Sequence, residues 1–205
     1  MYISTLNNSH YELILKAIES GKNILCEKPM TTNYNQALEI EKKLRNSKVF
    51  FMEAIAYRSH PQIELVIKKL KDNIIGEVKE IHSTFGFDVK KVDKKDRLFN
   101  SELGGGAILD VGCYPVSMSN LIANLNNKNN EMIPRIKDVN GSFYETGVDE
   151  IAYASLNYEN GITAKIGVAI KREMENQTII LGTKGKMIIT NPWLPNNETF
   201  IEIYI

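Results

Sequence analysis

The sequence has few cysteines, no excess of charge and no long apolar run, and each shortage excludes a class of protein. Two cysteines, Cys26 and Cys113, are too few and too far apart for a disulfide framework or a zinc site, so we expect no metal. Acidic and basic residues number 25 each, which gives no electrostatic reason to expect nucleic acid as partner. No window approaches the ~20 apolar residues of a membrane span. No signal peptide is visible at 1–12, so a cytoplasmic location fits best.

The first part of the chain alternates between short apolar runs and stretches with helical spacing. Apolar runs at 1–5, 23–26 and 49–52 predict three buried strands with a helix in each interval. This β-α-β order is typical of a parallel sheet with right-handed crossovers, in which ligands collect at the carboxyl ends of the strands. At that edge we expect the polar residues that follow the first two strands, which are Thr5, Asn7, His10, Glu27 and Lys28.

The remainder of the chain has the pattern of an α+β fold. The sequence predicts a helix from Gln62, an antiparallel strand over 78–88, a solvated lysine-rich loop or lid over 89–100 and an Asn-rich turn over 124–130. Strand-like runs then follow one another without helices, which predicts one antiparallel sheet built as a meander. These runs are 135–144, 150–158, 162–170, 177–182 and 187–190.

The segment LGGGAILDVGCYP, residues 103–115, carries the strongest chemical signal. Its three glycines, 104–106, can bring the backbone close to a ligand and then turn sharply. Helical spacing from Ala107 onward places Asp110 and Tyr114 on one face, with a carboxylate one turn from a phenol. Such a pair suits proton chemistry on a small polar substrate. A glycine loop followed by a core helix, in which Asp110 only ties down a turn, gives the same pattern.

Three motifs occur in one order and at spacings that resemble a known family. They are ISTLNNSHYELILKAIESGKNILCEKPM at 3–30, FMEAIAYRSHPQI at 51–63 and LGGGAILDVGCYPVSM at 103–118. Together they resemble the glucose-fructose oxidoreductase / inositol dehydrogenase (Gfo/Idh/MocA) family. The branch that looks closest contains NADP-dependent D-xylose dehydrogenase, glucose-fructose oxidoreductase and dimeric dihydrodiol dehydrogenase. The resemblance extends over almost the whole chain.

The resemblance implies an α/β fold in which the C-terminal part of a Rossmann-type parallel sheet precedes an α+β domain with an open, mainly antiparallel sheet. We expect residues 1–56 to form a partial dinucleotide-binding domain that lacks its glycine-rich first unit. Residues 57–205 are then a substrate and dimerisation domain, incomplete at its C-terminus. No GxGxxG loop occurs in the sequence, and Leu6 stands where the family usually has proline. We therefore expect the chain to be the middle of a longer enzyme.

The implied activity is hydride transfer between NAD or NADP and a sugar, polyol or dihydrodiol. The motifs imply that Lys28 is the catalytic lysine, that Asp110 is the acidic residue of the glycine-rich segment and that Tyr114 carries the proton. An ammonium beside the Tyr114 phenol is expected to draw its pKa down toward working pH. The implied cofactor-binding residues are Thr5, Asn7, His10, Glu27 and Lys28, and the implied substrate-binding residues are Arg58, Gly105 and Tyr114. The family also implies a homodimer or higher homo-oligomer through the open sheet.

Two other functions stay open at the level of the sequence. The first is a truncated, catalytically inactive family member that acts as an oligomerisation or interaction module, because the phosphate-binding loop is missing. The second is a related lyase or hydrolase that uses tightly held NAD as a transient redox agent.

Several further polar residues have a structural explanation that competes with a functional one. His10 can cap the helix that follows it, and His60 is expected to fix the start of a helix. We interpret His82 as structural and Glu53 as a buried charge paired with Arg58. Both cysteines are expected to behave as small apolar residues.

Overall fold

The computed structural model describes residues 1–127 and 132–205, so the predicted turn over 124–130 falls partly outside the described residues. The helices and strands in chain order are β1 (Tyr2–Ile3), α1 (Asn7–Glu19), β2 (Ile24–Glu27), α2 (Tyr34–Arg45), β3 (Phe51–Ala54), α3 (Pro61–Lys71), β4 (Val78–Gly86), α4 (Cys113–Ala123), β5 (Arg135–Phe143), β6 (Asp149–Asn157), β7 (Thr163–Ala169), β8 (Gln177–Gly182), β9 (Lys186–Thr190) and β10 (Ile201–Tyr204).

Strands β1, β2 and β3 form a parallel sheet in that order, here called sheet A. Its β-α-β connections are the ones that the sequence predicts. Helices α1 and α2 cover one face of sheet A through an apolar core that includes Ile3, Ile14, Ile24 and Ile40. On the other face the large apolar side chains, among them Leu25 and those of β1 and β3, are exposed. Sheet A is therefore covered on one face only, whereas parallel sheets are usually covered on both.

The remaining seven strands form a second sheet, sheet B, in the order β10-β9-β8-β4-β7-β6-β5. All neighbouring pairs are antiparallel except β4 and β7, which are parallel. The predicted meander and the predicted antiparallel pairing of β4 are therefore wrong in part, because β4 lies between β7 and β8. A parallel pair needs a long crossover, and the segment containing α4 supplies it between β4 and β5.

Helices α3 and α4 pack on one face of sheet B, and the opposite face is open. The core between them contains Val66, Met118, Ile122, Ile180 and Met187. Every residue of β5, at one edge of the sheet, is exposed. No helix within the described ranges is long and apolar enough to cross a membrane.

The segment after the three glycines differs from the predicted continuous α-helix. It begins as a π-helical turn, Ile108–Gly112, and becomes α-helical only at α4. The Asp149 carboxylate at the start of β6 accepts the backbone N–H of Ile108 at 2.7 Å and so fixes the first turn. Single π-turns occur frequently at functional sites, and this one contains Asp110.

The core of sheet B gives a direct test of the packing. Ile180 is fully buried, whereas its neighbour Ile179 on β8 is half-buried on the open face. Because truncation of a buried isoleucine loses apolar contacts and leaves a cavity, we expect Ile180→Ala to lower the free energy of unfolding by about 2–5 kcal/mol. Urea denaturation measures this change, and Ile179→Ala is the matched control, with a clearly smaller loss. Equal losses at the two positions would contradict the assignment of the faces.

Candidate active site

Lys28 and Asp110 meet where the carboxyl end of sheet A contacts the glycine-rich segment. Lys28 directly follows β2, and its Nζ donates to the backbone carbonyl of Asp110 at 2.6 Å and to Oδ1 of the same residue at 3.1 Å. The side chains are 17% and 8% exposed, respectively. A carboxylate that is this deeply buried must be paired with a cation. The two residues that the motifs single out are thus in direct contact.

Arg97 joins this pair, which the sequence did not predict. Its Nη1 donates to Asp110 Oδ1 at 2.8 Å, so one carboxylate oxygen accepts from two cations. The segment 89–100 was expected to be a solvated loop or lid, and for its last residues this is wrong, because Phe99 is buried against the Tyr144 ring. Apolar Leu98 and Phe99 at the end of a charged run were the available signal.

Tyr114 lies in the first turn of α4 among three other aromatic rings. Its ring centroid is 5.2 Å from that of Phe85, 6.0 Å from that of Tyr57 and 6.0 Å from that of Trp193. Lys28 Nζ lies 5.6 Å from the centroid of the Tyr114 ring. Within the described residues the Tyr114 hydroxyl has no hydrogen-bond partner. The aromatic rings fix the phenol while leaving its hydroxyl available.

The electrostatics of Tyr114 differ from the expectation. Burial raises the pKa of Tyr114 to about 12, and the nearby charges of Cys113, Asp110 and Glu27 add to the rise. The predicted lowering by an adjacent ammonium is therefore wrong, because burial removes water from the phenolate and the neighbouring negative groups disfavour it further. At neutral pH the phenol keeps its proton.

Each of the three glycines lies in close contact with another segment of the chain. A Cβ on Gly105 would lie 2.6 Å from the carbonyl oxygens of Arg97 and Leu98, and one on Gly104 would lie 2.7 Å from the Thr32 side chain. A Cβ on Gly106 would collide with the Asp149 carboxylate. The space beside each glycine is thus filled by this chain. The interpretation of these glycines as places of close approach to a ligand is not supported by the geometry, and the substrate role of Gly105 stays a prediction.

The residues predicted to bind a cofactor lie together, but the protein occupies some of their polar atoms. Asn7 Nδ2 donates to the Gly104 carbonyl at 2.9 Å. His10 is fully buried, with Nδ1 2.9 Å from the Pro29 carbonyl oxygen and Nε2 3.0 Å from that of Thr5. Glu27 Oε1 accepts from the Tyr2 hydroxyl. Their cofactor roles stay predictions, and the contacts of Asn7 and His10 hold the loops around Lys28.

Of the predictions for Arg58, Glu53 and His60, the pairing of Arg58 with Glu53 is wrong and the helix cap at His60 is confirmed. Arg58 Nε and Nη2 donate to the hydroxyl and the carbonyl of Ser117, both at 3.0 Å, so its predicted pairing with Glu53 is wrong. Glu53 instead accepts the backbone N–H of Met30 at 2.7 Å, and burial raises the pKa of its carboxyl. His60 caps α3 through Nδ1, as predicted. The substrate role of Arg58 stays a prediction.

Three further groups complete the surroundings of the site. Burial raises the pKa of both thiols, Cys26 and Cys113, to about 12, so they behave as the small apolar residues that we expected. His82 lies away from the site, beside Glu80 on sheet B. Among the residues described, no three or more His, Cys, Asp or Glu side chains are arranged to hold a metal.

A three-stranded parallel sheet is thus joined to a largely antiparallel sheet, with Lys28, Asp110 and Tyr114 at the junction. The family model described as "Oxidoreductase family, NAD-binding Rossmann fold" matches residues 1–55. The model described as "GFO/IDH/MocA C-terminal domain" matches residues 63–188. The chain belongs to the GFO/IDH/MocA family.

Individual relatives agree with this assignment. The chain is 35% identical over 198 residues to trans-1,2-dihydrobenzene-1,2-diol dehydrogenase of Xenopus tropicalis, covering 96% of this chain and 57% of the relative. It is 32% identical to the mouse (Mus musculus) enzyme of the same name over 194 residues, or 95% and 56% of the two chains. The chain thus spans a little over half the length of these relatives.

Solved structures share the fold. A 3-ketoreductase from Actinomadura kijaniata, crystallised with NADP and TDP-benzene, superposes with a TM-score of 0.81 at 23% identity over 98% of this chain and 63% of that one. Aldose-aldose oxidoreductase from Caulobacter crescentus, complexed with glycerol, gives a TM-score of 0.83 at 21% identity over 99% and 59% of the two chains.

The packing around the glycines predicts unequal tolerance of alanine. Gly105→Ala places a methyl group within 2.6 Å of two carbonyl oxygens, which requires movement of the turn at 97–100. At Gly112 the atom nearest to an added methyl group is 3.6 Å away, an ordinary contact. We therefore expect Gly105→Ala to lower the thermal midpoint by several degrees, corresponding to about 1–3 kcal/mol. Gly112→Ala is the control, and scanning calorimetry measures both. A Gly105→Ala protein as stable as Gly112→Ala would contradict this packing.

Proposed function

We propose that the protein is an NAD(P)-dependent oxidoreductase that acts on a CH–OH group or the corresponding carbonyl. The observation that carries the proposal is the convergence of Lys28, Asp110 and the available Tyr114 hydroxyl at the carboxyl end of sheet A. Ligands bind at this edge in parallel α/β sheets. Membership of the family, one of whose models is described as NAD-binding, supports the same activity.

The residues at this edge fit the nicotinamide half of NAD or NADP. Thr5 is exposed beyond the end of β1, one oxygen of Glu27 has no partner, and Lys28 has a third N–H without an acceptor in the described structure. These three groups would contact the nicotinamide and its ribose. The glycine-rich loop that holds a pyrophosphate has no counterpart in this sequence. The chain therefore supplies part of a dinucleotide site.

The side chains account for the proton that accompanies hydride transfer. When bound, the nicotinamide accepts or donates the hydride. Lys28 would donate a hydrogen bond to the reacting oxygen and stabilise negative charge on it. Tyr114, kept protonated because burial raises its pKa to about 12, would give its proton to the strongly basic alkoxide that carbonyl reduction creates. In the oxidative direction the phenolate form of Tyr114, present only after the phenol has lost its proton to solvent, would accept the proton of the alcohol.

The names of the relatives indicate the substrate class. By their names, these proteins are a dehydrogenase of trans-1,2-dihydrobenzene-1,2-diol, a 3-ketoreductase and an aldose-aldose oxidoreductase. We propose a sugar, polyol or dihydrodiol for this chain, with Arg58 and Tyr114 as substrate-binding candidates. Neither the relatives nor the site offers an observation in favour of an inactive interaction module.

The organisation of the chain is part of the same proposal. We assign residues 1–56 to a partial dinucleotide-binding domain and 57–205 to a substrate and dimerisation domain. The open face and edge of sheet B expose Ile136, Val139 and Phe143 on β5, which supports a homodimer or higher homo-oligomer. Two free thiols are consistent with a reducing cytoplasm.

Replacement of Tyr114 tests the catalytic assignment. Tyr114→Phe removes the hydroxyl and keeps the ring that packs against Phe85, so folding and nicotinamide binding are expected to persist. We expect turnover of a trans-dihydrodiol or of D-xylose with NADP⁺ to fall about 10²–10⁴-fold. Oxidation by the unmodified protein should rise from neutral pH through about pH 10 without a plateau, because a pKa of about 12 keeps most of the phenol protonated over this range, and the variant should lose this rise.

Binding and turnover are measured separately. Titration of the chain with NADPH, followed by nicotinamide fluorescence, reports binding without turnover. Tyr34→Phe is the matched control, because Tyr34 is exposed. Undiminished turnover of Tyr114→Phe would refute the role of this residue. Failure of the unmodified chain to bind NADPH would refute the cofactor proposal for this chain.

A charged substitution on β5, the exposed edge strand of sheet B, tests whether the homo-oligomer forms through this sheet. Val139→Asp places a carboxylate on β5, so we expect sedimentation equilibrium to show dissociation of the homo-oligomer into monomers. The control is Leu25→Asp on the uncovered face of sheet A, which should leave an oligomer formed through sheet B intact. A monomeric unmodified protein, or dissociation only by the Leu25 variant, would overturn the proposal that sheet B is the interface.

A further inference from the structure

We propose that Arg97 is a positioning residue that shares Oδ1 of Asp110 with Lys28 and thereby leaves the ammonium and the second carboxylate oxygen available to a bound substrate. Lys28 alone would already neutralise Asp110. The second cation reaches the same oxygen at 2.8 Å, although Arg97 comes from a different segment of the chain. This inference deepens the proposed function. Only the prediction about turnover rests on that function.

The geometry divides the contacts of Asp110 unequally between its two oxygens. Oδ1 accepts from both Lys28 and Arg97, whereas Oδ2 has no hydrogen-bond partner within the described residues. Oδ2 also retains some contact with solvent. A substrate hydroxyl therefore has one acceptor at Asp110, in a fixed direction, beside the free N–H of Lys28.

The backbone of Arg97 is held in place for this contact. The backbone N–H of Gly106 donates to the Leu98 carbonyl at 2.9 Å, and that of Gly105 donates to the Asn100 carbonyl at 3.0 Å. Asp96 caps the turn by accepting the N–H of Leu98 at 2.9 Å. Because these bonds join the turn at 97–100 to the glycines that precede Asp110, the guanidinium and the carboxylate are placed by one rigid segment.

Loss of Arg97 should act on Lys28 through Asp110. Without the guanidinium, the whole charge of the carboxylate is compensated by Lys28, which then binds Oδ1 more closely and is less available to a substrate oxygen. The Asp110 charge, which already contributes to the raised pKa of Tyr114, would also be less compensated. A displacement of about 1 Å at such a site can reduce turnover about 10²-fold.

The direct test uses the NMR signal of the Lys28 ammonium in the complete chain without ligand. Lys28 Nζ has two acceptors within 3.1 Å and is largely excluded from water, which slows exchange of its protons. Lys28→Met assigns the signal by its loss. We expect Arg97→Met to shift the signal and Arg97→Lys to restore it in part. Lys94→Met is the matched control, because it breaks the exposed pair with Glu145 on the same segment without touching Asp110.

The kinetic test uses the same variants. We expect Arg97→Met to lower kcat about 10–100-fold with little change in the KM for NADPH, Arg97→Lys to recover part of it, and Lys94→Met to match the unmodified protein. An unshifted Lys28 signal in Arg97→Met, or an equal shift in Lys94→Met, would overturn the inference. A shifted signal in a chain without turnover would support the positioning role of Arg97 while refuting the proposed function, so the two failures are distinguishable.

Discussion

The buried carboxylate of Asp110 is the constraint on which the rest of the structure depends. An unpaired charge at this depth costs several kcal/mol, so the fold must bring cations to it. One cation comes from the carboxyl end of β2 in sheet A and the other from the turn at 97–100. The ion group therefore joins two parts of the chain that have separate apolar cores.

Two different side chains of the candidate site carry the positive charge and the phenolic proton. Lys28 provides positive charge, and its contacts with Asp110 fix where that charge lies. Tyr114 carries a phenolic proton, and burial among the Phe85, Tyr57 and Trp193 rings makes that proton harder to lose. Because burial raises its pKa to about 12, the phenol is protonated at neutral pH. The aromatic packing thus determines the protonation state of this phenol at neutral pH.

Local patterns predicted sheet A and most strands of sheet B, and short motifs singled out Lys28 and Asp110, because spacing along the chain determines these features. Long-range packing determined the rest. The insertion of β4 between β7 and β8 depends on a crossover that leaves no mark in the strand itself. Arg97 stands in a lysine-rich run typical of a solvated surface, and the ring of Trp193 reaches the site from near the end of the chain. The raised pKa of Tyr114 follows from such distant neighbours and not from the adjacent ammonium.

The three glycines between Leu103 and Ala107 have a consequence for how this segment is used to recognise related proteins. Each glycine is required because another part of the chain occupies the place of its side chain: Thr32 and Asn7, the carbonyls of the turn at 97–100, and the Asp149 carboxylate. A protein that had lost all catalytic activity would still be destabilised by a side chain at any of the three positions. Their presence in a sequence is therefore evidence of architecture alone. Evidence of chemistry must come from the side chains at Lys28 and Tyr114.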